Sequence, residues 1–368
     1  MTDTPATTDT HVLTEVRGRV GCITLNRPQA LNALSLEMVR ALTAVLVEWR
    51  ADTHVLAVVI RGVSKQGPFG AFCAGGDIRF FHQAALANDD RLGAFFTEEY
   101  ALNHLIHTYP KAFIALMDGI VMGGGMGIAQ GASLRLVTER SKLAMPETGI
   151  GLFPDVGGGY FLSRCPGALG EYLALTGRVI NGVEAIAADL ADAQVDSGRL
   201  VGLWDSLGRT PYESGEAVER WCMTHVQKNT EKLTLPLAQI NRVFGLPTVA
   251  DMLAALTATD SDWARDTQAI LLKRSPLMLH VVLEQVRRAR SIGLTANLRM
   301  ERDMVHHCFH LRPGAASETV EGIRALAIDK DHAPQWRPAS VAEVTPDMVA
   351  AFFDSPWTPE THPLRTLG

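Results

Sequence analysis

Thiols are scarce in this sequence: Cys22, Cys73, Cys165, Cys222 and Cys308 are the five cysteines among 368 residues, an odd number with no CxxC pair. That excludes a disulfide framework and predicts reduced, buried thiols. No run of 18 uncharged apolar residues occurs. The longest quasi-apolar stretch, AFIALMDGIVMGGGMGIA, holds Asp118 and five glycines, which suits a buried strand and turn rather than a membrane span. An excess of positive charge is also missing, since 34 Lys plus Arg face 40 Asp plus Glu for a net charge of -6. This argues against nucleic acid as a partner and leaves room for a local basic patch that holds a small phosphorylated ligand. The opening MTDTPATTDT has no Lys or Arg before Arg17, unlike a secretory or organelle leader, and the expectation is a cytoplasmic protein.

Several chemical signatures are absent too. GxGxxG is missing from the glycine turns, and neither GxxxxGK[ST] nor the GxSxG nucleophile elbow occurs, which removes direct support for nucleotide-binding and serine-hydrolase readings. His104 and His107, or His306 and His307 beside Cys308, do not make an HExxH or a spaced Cys/His set, so no metal is expected.

What is present alternates between strand and helix over the first half of the chain. Residues 12–25 read as a hairpin, 35–51 as a helix opened by Ser35, and 55–62 as a strand covered on both faces. A polar loop is expected at 63–71, helices at 77–85 and 91–107, and strands at 112–117, 134–138 and 142–145. Rim helices follow at 168–177 and 182–190, and DAQVDS suits a return to the main domain. Beyond Ser197 the pattern turns helical, at 198–205, 212–229, 248–256, 262–273, 276–293 and 295–309, with a Pro-containing linker at 235–247 and an extended tail at 331–340. The fold class is therefore α/β with a helical C-terminal region.

Chemistry concentrates in three segments. CAGGD (Cys73 to Asp77) and MGGGMG (Met122 to Gly127) are glycine turns at helix starts, where backbone amides are free to meet an oxyanion; the plainer reading is tight packing, with Asp77 as a helix cap. In MPETGIGLFPDVGGGYF, Glu147 and Asp155 each follow a proline in apolar surroundings that favour a raised carboxyl pKa. They either handle a proton or water, or merely cap a helix and a glycine turn. Glu98-Glu99-Tyr100 suits either a cavity wall or a solvated helix face.

These segments, with GRVGCITLNRPQALNALS, FFTEEYALN, MERDMVHHCF and VEGIRALAIDKDHAPQWRPA, resemble the crotonase, or enoyl-CoA hydratase/isomerase, superfamily over nearly the whole chain. The 3-hydroxyisobutyryl-CoA hydrolase branch is the most similar. The resemblance implies a ββα-spiral core over residues 1–200 and a helical region over 201–368. It implies an oxyanion hole from the N–H groups of Gly76 and Gly124, catalysis by Glu147 and Asp155, and substrate binding by Gly75, Gly123, Asp77 and Glu98. Gly127 stands where hydratases carry a second glutamate, which makes simple hydration the lesser expectation. The implied reaction is hydrolysis of a short β-hydroxyacyl thioester, with CoA as part of the substrate and no permanently bound cofactor. Lys65, Arg79, Lys273 and Arg274 are the candidates for its phosphates. Alternatives are an enoyl-CoA hydratase/isomerase and a non-catalytic acyl-CoA-binding protein, and self-association into a homo-oligomer is compatible with the superfamily.

Overall fold

A computed structural model describes residues 11–227 and 233–368. The polar opening and the end of the helix expected over 212–229 lie outside the described residues. The strands are β1 (Val12–Arg17), β2 (Val20–Leu25), β3 (Ala57–Ser64), β4 (Gly67–Cys73), β5 (Ala112–Met117), β6 (Ile120–Met122), β7 (Leu134–Val137), β8 (Lys142–Ala144) and β9 (Ala193–Gln194). β1 pairs antiparallel with β2, and the order β2-β3-β5-β7-β9 is parallel throughout. β3 also pairs antiparallel with β4, which leads into a shorter parallel set, β4-β6-β8. This mixed sheet, with helices packed on it and a helical C-terminal region after it, is the α/β architecture expected from the sequence.

The continuous apolar runs of β3 and β5 follow from burial on both faces. Val58 and Ile60, with Phe113, Ala115 and Met117, enter the larger core. The alternate residues Ala57, Val59, Ile114 and Leu116 face a smaller core closed by Trp204, Leu203 and Val218. A period of two thus divides one strand between two cores. The helix Leu36–Ala51 starts where Ser35 Oγ accepts the Met38 N–H at 3.2 Å, and buries Met38, Val39, Leu42, Val45, Leu46 and Trp49 at helical spacing. The larger core extends into the C-terminal helices through Ile240, Val243, Met278, Val282, Leu298 and Val305, so the parts on either side of residue 200 share it.

Two expected connections are regular structure instead. The loop expected at 63–71 contains most of β4, whose Phe69, Ala71, Phe72 and Cys73 are buried although Gly67 and Pro68 signal a turn. The linker expected at 235–247 contains the helix Leu237–Phe244: Pro236 sits at its start, where a fixed φ and a missing N–H do no harm, and Ile240, Val243 and Phe244 are buried. DAQVDS does return to the sheet, as β9 beside β7.

The segment before the first glycine turn is tied down by Asn32, a fully buried residue with left-handed backbone (φ 58°). Its Nδ2 donates to the carbonyls of Val63, Ala71 and Phe72 at 2.9, 2.8 and 3.2 Å, and its Oδ1 accepts the Arg27 N–H at 2.8 Å. Leu34 N–H then donates to Gly75 O and Asp77 N–H to Leu34 O, fixing the turn itself. Asn32→Ala strands buried carbonyls and places alanine at a positive φ; urea denaturation should show a loss of about 2–4 kcal/mol. A loss below about 0.5 kcal/mol would contradict this role.

Candidate active site

The two glycine turns meet end to end. At Gly76 the neighbouring groups, Gly75 O and Asp77 N–H, are both engaged by Leu34, so the intervening Gly76 N–H is directed away from Leu34. Gly124 is the first residue of the helix Gly124–Gln130, where an N–H has no intrahelical acceptor. A Cβ placed on Gly124 would lie 3.4 Å from Gly76 N, which puts the two amides side by side. Gly75 and Gly123 have φ of 112° and 49°, a conformation that side chains rarely adopt.

A cavity of about 310 Å³ opens at this junction, lined by Gly75, Gly76, Gly123 and Gly124, the carboxyls of Glu99, Glu147 and Asp155, and Arg274. Apolar walls come from Ile78, Phe81, Ile150 and Leu152, with Leu326 on the π turn Arg324–Ile328. Glu147 begins the turn Glu147–Ile150, and its Oε1 lies 2.9 Å from where a Cβ on Gly123 would sit. Glu99, from the helix Arg91–His107, brings its Oε1 within 2.6 Å of the corresponding position on Gly124. Side chains on this turn would strike the acids. Glu147 Oε2 and Glu99 Oε1 are buried without a hydrogen-bond partner within the protein, on residues that both line the cavity.

All three acids are held above the usual carboxylate range. Burial raises Glu147, Asp155's charge adds to it, and a backbone hydrogen bond and Arg274 pull the other way. Glu99 is raised by burial and then by Asp155 and Glu147. Burial pushes Asp155 up to about 7, opposed by Tyr100, whose buried hydroxyl donates to Asp155 Oδ2 at 2.9 Å. The arrangement offers paired N–H donors for a developing negative oxygen, beside acids able to hold or accept a proton near neutral pH.

Of the residues expected from sequence, Gly75, Gly76, Gly123, Gly124, Glu147 and Asp155 line this one cavity. Glu98 does not: it points outward into a bidentate pair with Arg40 at 2.7 and 2.8 Å, because adjacent helical residues are turned by about 100°. Glu99 occupies the place expected of it. Asp77 is also displaced from the expected role, since it caps the helix Ile78–Ala87 through the Phe80 N–H at 3.3 Å and pairs with Arg27 at 2.8 Å. Among the basic candidates, Arg274 lines the cavity, whereas Lys65, Arg79 and Lys273 are exposed on the surface. Gly127 has no room for a side chain: a Cβ there would sit 2.6 Å from Val156 Cβ and 2.9 Å from Asn103 Nδ2.

A family model described as enoyl-CoA hydratase/isomerase matches residues 20–353. The chain belongs to the enoyl-CoA hydratase/isomerase family. Similar relatives are the proteins named 3-hydroxyisobutyryl-CoA hydrolase, mitochondrial, from Rattus norvegicus (39% identity, 94% of this chain and 89% of the relative) and Homo sapiens (37%, with the same coverage). Among solved structures, a carnitinyl-CoA dehydratase from Mycobacterium thermoresistibile is 38% identical with TM-score 0.85 over 95% of this chain and 98% of the other. An enoyl-CoA hydratase from Rhodobacter sphaeroides is 36% identical with TM-score 0.83, covering 94% and 98%. Because the hydrolase relatives are named mitochondrial, they lend the cytoplasmic expectation no support. Among the described residues, no helix of this family member is long and apolar enough to cross a membrane.

Asp155 gives the site a signature in stability. Its carboxyl ordinarily releases its proton near 3.8 and does so near 7 in the folded protein, so the folded state holds the extra proton between those values. This contribution to stability is full below pH 3.8 and is lost as the pH rises to about 7. Asp155→Asn keeps an acceptor for Tyr100 and removes the charge. Urea denaturation at pH 8 should find the variant more stable than wild type by on the order of 1–3 kcal/mol, with the difference shrinking toward pH 5. Equal pH dependence in the two proteins would contradict a raised Asp155.

Proposed function

We propose that this protein hydrolyses a short β-hydroxyacyl-CoA thioester, with 3-hydroxyisobutyryl-CoA the best-supported substrate, as in valine breakdown. The observation that carries the reading is the convergence of Glu147 and Asp155 with the Gly76 and Gly124 amides on one cavity, while position 127 has no acid. The names of the hydrolase relatives agree with it.

In this reading the thioester carbonyl oxygen lies between the Gly76 and Gly124 N–H groups, which stabilise the charge that grows as the carbonyl carbon is attacked. Glu147 either attacks that carbon directly, forming an acyl anhydride that water then cleaves to release the acid and restore the carboxylate, or accepts a proton from the attacking water. Arg274 favours the anionic form that both routes require. As the C–S bond breaks, Asp155 supplies a proton to the departing CoA sulfur or orients the acyl hydroxyl. Glu99, on the other side of the glycine turn, is placed to hydrogen-bond a polar group of the acyl chain. Arg274 is the basic residue closest to the chemistry, so the phosphates of CoA rest on more exposed groups at the cavity mouth. CoA is consumed as part of the substrate, and no resident cofactor has a step. Each group named comes from one chain, so the mechanism does not require a homo-oligomer.

Hydration of an enoyl-CoA is the second reading. It is favoured by the third acid, Glu99, and by the hydratase and dehydratase names of the two structural neighbours. Turnover separates the readings. Wild type should release free thiol from 3-hydroxyisobutyryl-CoA and leave crotonyl-CoA absorbance nearly unchanged. Glu147→Gln and Asp155→Asn should each lower kcat for thiol release by about 10²-fold or more, with KM changed by less than about fivefold. Rapid loss of crotonyl-CoA without thiol release would replace hydrolysis by hydration. Tight binding of the thioester with neither reaction would leave an acyl-CoA-binding protein.

A further inference from the structure

Behind Asp155 the chain does something that a valine resists. Val156 has φ of 54°, a left-handed backbone that a β-branched residue adopts only when its surroundings impose it. The following residue, Gly157, is also left-handed at 88°, and the chain then turns into the short helix Gly158–Leu162. The turn is closed by its own Gly158 N–H to Asp155 O bond at 2.6 Å and is held from outside by a side chain of the C-terminal region. Glu301, fully buried on the helix Leu294–His310, accepts the Gly157 N–H at 2.7 Å through Oε2 and the Gly159 N–H at 2.9 Å through Oε1. Its carboxylate is itself held: Asn297 Nδ2 donates to it at 2.8 Å and Gln285 Nε2 at 3.2 Å. Gln285 Nε2 also reaches Pro154 O at 2.7 Å, so one cluster grips the chain before and after Asp155.

Glu301 does not line the catalytic cavity, and nothing in the proposed reaction uses it. Burying the Glu301 carboxyl costs desolvation, which hydrogen bonds from Gly157, Gly159, Asn297 and Gln285 offset. We infer that Glu301 is a positioning residue for Asp155, holding the Val156-Gly157 turn in the conformation that aims the Asp155 carboxyl at Tyr100 and the cavity. The inference rests on the hydrolase reading of Asp155 and deepens it: the C-terminal region takes part in turnover through the backbone of the loop that carries the acid.

The experiment is a double-variant cycle on thiol release from 3-hydroxyisobutyryl-CoA, using wild type, Glu301→Gln, Asp155→Asn and the double variant. Glutamine keeps the volume but turns an N–H₂ toward an amide donor, so one grip is lost. The expected result is a fall in kcat of about 10- to 100-fold for Glu301→Gln, KM within about threefold, and no further fall when it is added to Asp155→Asn. Multiplying effects in the double variant, or an unchanged kcat in folded Glu301→Gln, would overturn the inference. If Glu301→Gln does not fold, Asn297→Ala loosens the same carboxylate: a several-fold fall in kcat that vanishes in the Asp155→Asn background supports the positioning role, and an unchanged kcat or multiplying effects overturn it. Wild-type turnover in Asp155→Asn alone would overturn the reading of Asp155 itself, a failure distinct from that of the Glu301 contact.

Discussion

Three buried carboxyl groups, Glu99, Glu147 and Asp155, share one small cavity, and burial leaves little solvent screening between their charges. Two such groups repel when ionised, and burial disfavours the ionised form of each, so the site keeps protons that an exposed acid would lose. The rest of the structure accommodates this constraint. Tyr100 opposes it at Asp155, and Arg274 and a backbone hydrogen bond oppose it at Glu147. Burying three acids together costs folding stability, the trade expected where a site is built for chemistry.

Both halves of the chain are needed to hold that arrangement. The sheet supplies the glycine turns at the ends of β4 and β6 and the loop after β8. The C-terminal region supplies Arg274, on the turn between the helices Asp262–Leu271 and Pro276–Ala289 with its Nε anchored on Thr176 O at 3.0 Å, and the adjacent pair Glu301 and Arg302. While Glu301 grips the Asp155 loop, Arg302 Nε donates to Thr97 Oγ1 at 3.0 Å on the helix that carries Glu99 and Tyr100. One turn of the helix Leu294–His310 therefore bears on two of the three acids. One hydrophobic core is shared by the two parts of the chain.

Much of this was legible in the sequence, and the reasons for the exceptions are physical. β5 is readable to the residue because its apolar run is bounded by Lys111 and by Asp118-Gly119. The glycine turns, Glu147 and Asp155 stand out because such residues rarely cluster in apolar surroundings. The choice between Glu98 and Glu99 needed the phase of a helix whose buried residues, Leu92, Phe95, Phe96, Tyr100 and Asn103, mark a face that includes 99 and excludes 98. β4 was hidden by Gly67 and Pro68, which open a strand here instead of ending one. Glu301 gave one signal, an acid in phase with Leu298, Val305 and Cys308 on a buried helix face. The two backbone amides it holds lie more than 140 residues away, and no local pattern announces them.

The proposed hydrolysis requires the thioester carbonyl to sit between two particular backbone amides, with the acids arranged around it. The most direct measurement is a crystal structure with a β-hydroxyacyl-CoA analogue in which a methylene replaces the thioester sulfur. The prediction is a carbonyl oxygen about 2.7–3.1 Å from both Gly76 N and Gly124 N, with Glu147 and Asp155 on the acyl side of the carbonyl carbon. A carbonyl turned away from the glycine turns, or an acyl group seated outside the cavity that holds Glu147 and Asp155, would contradict it.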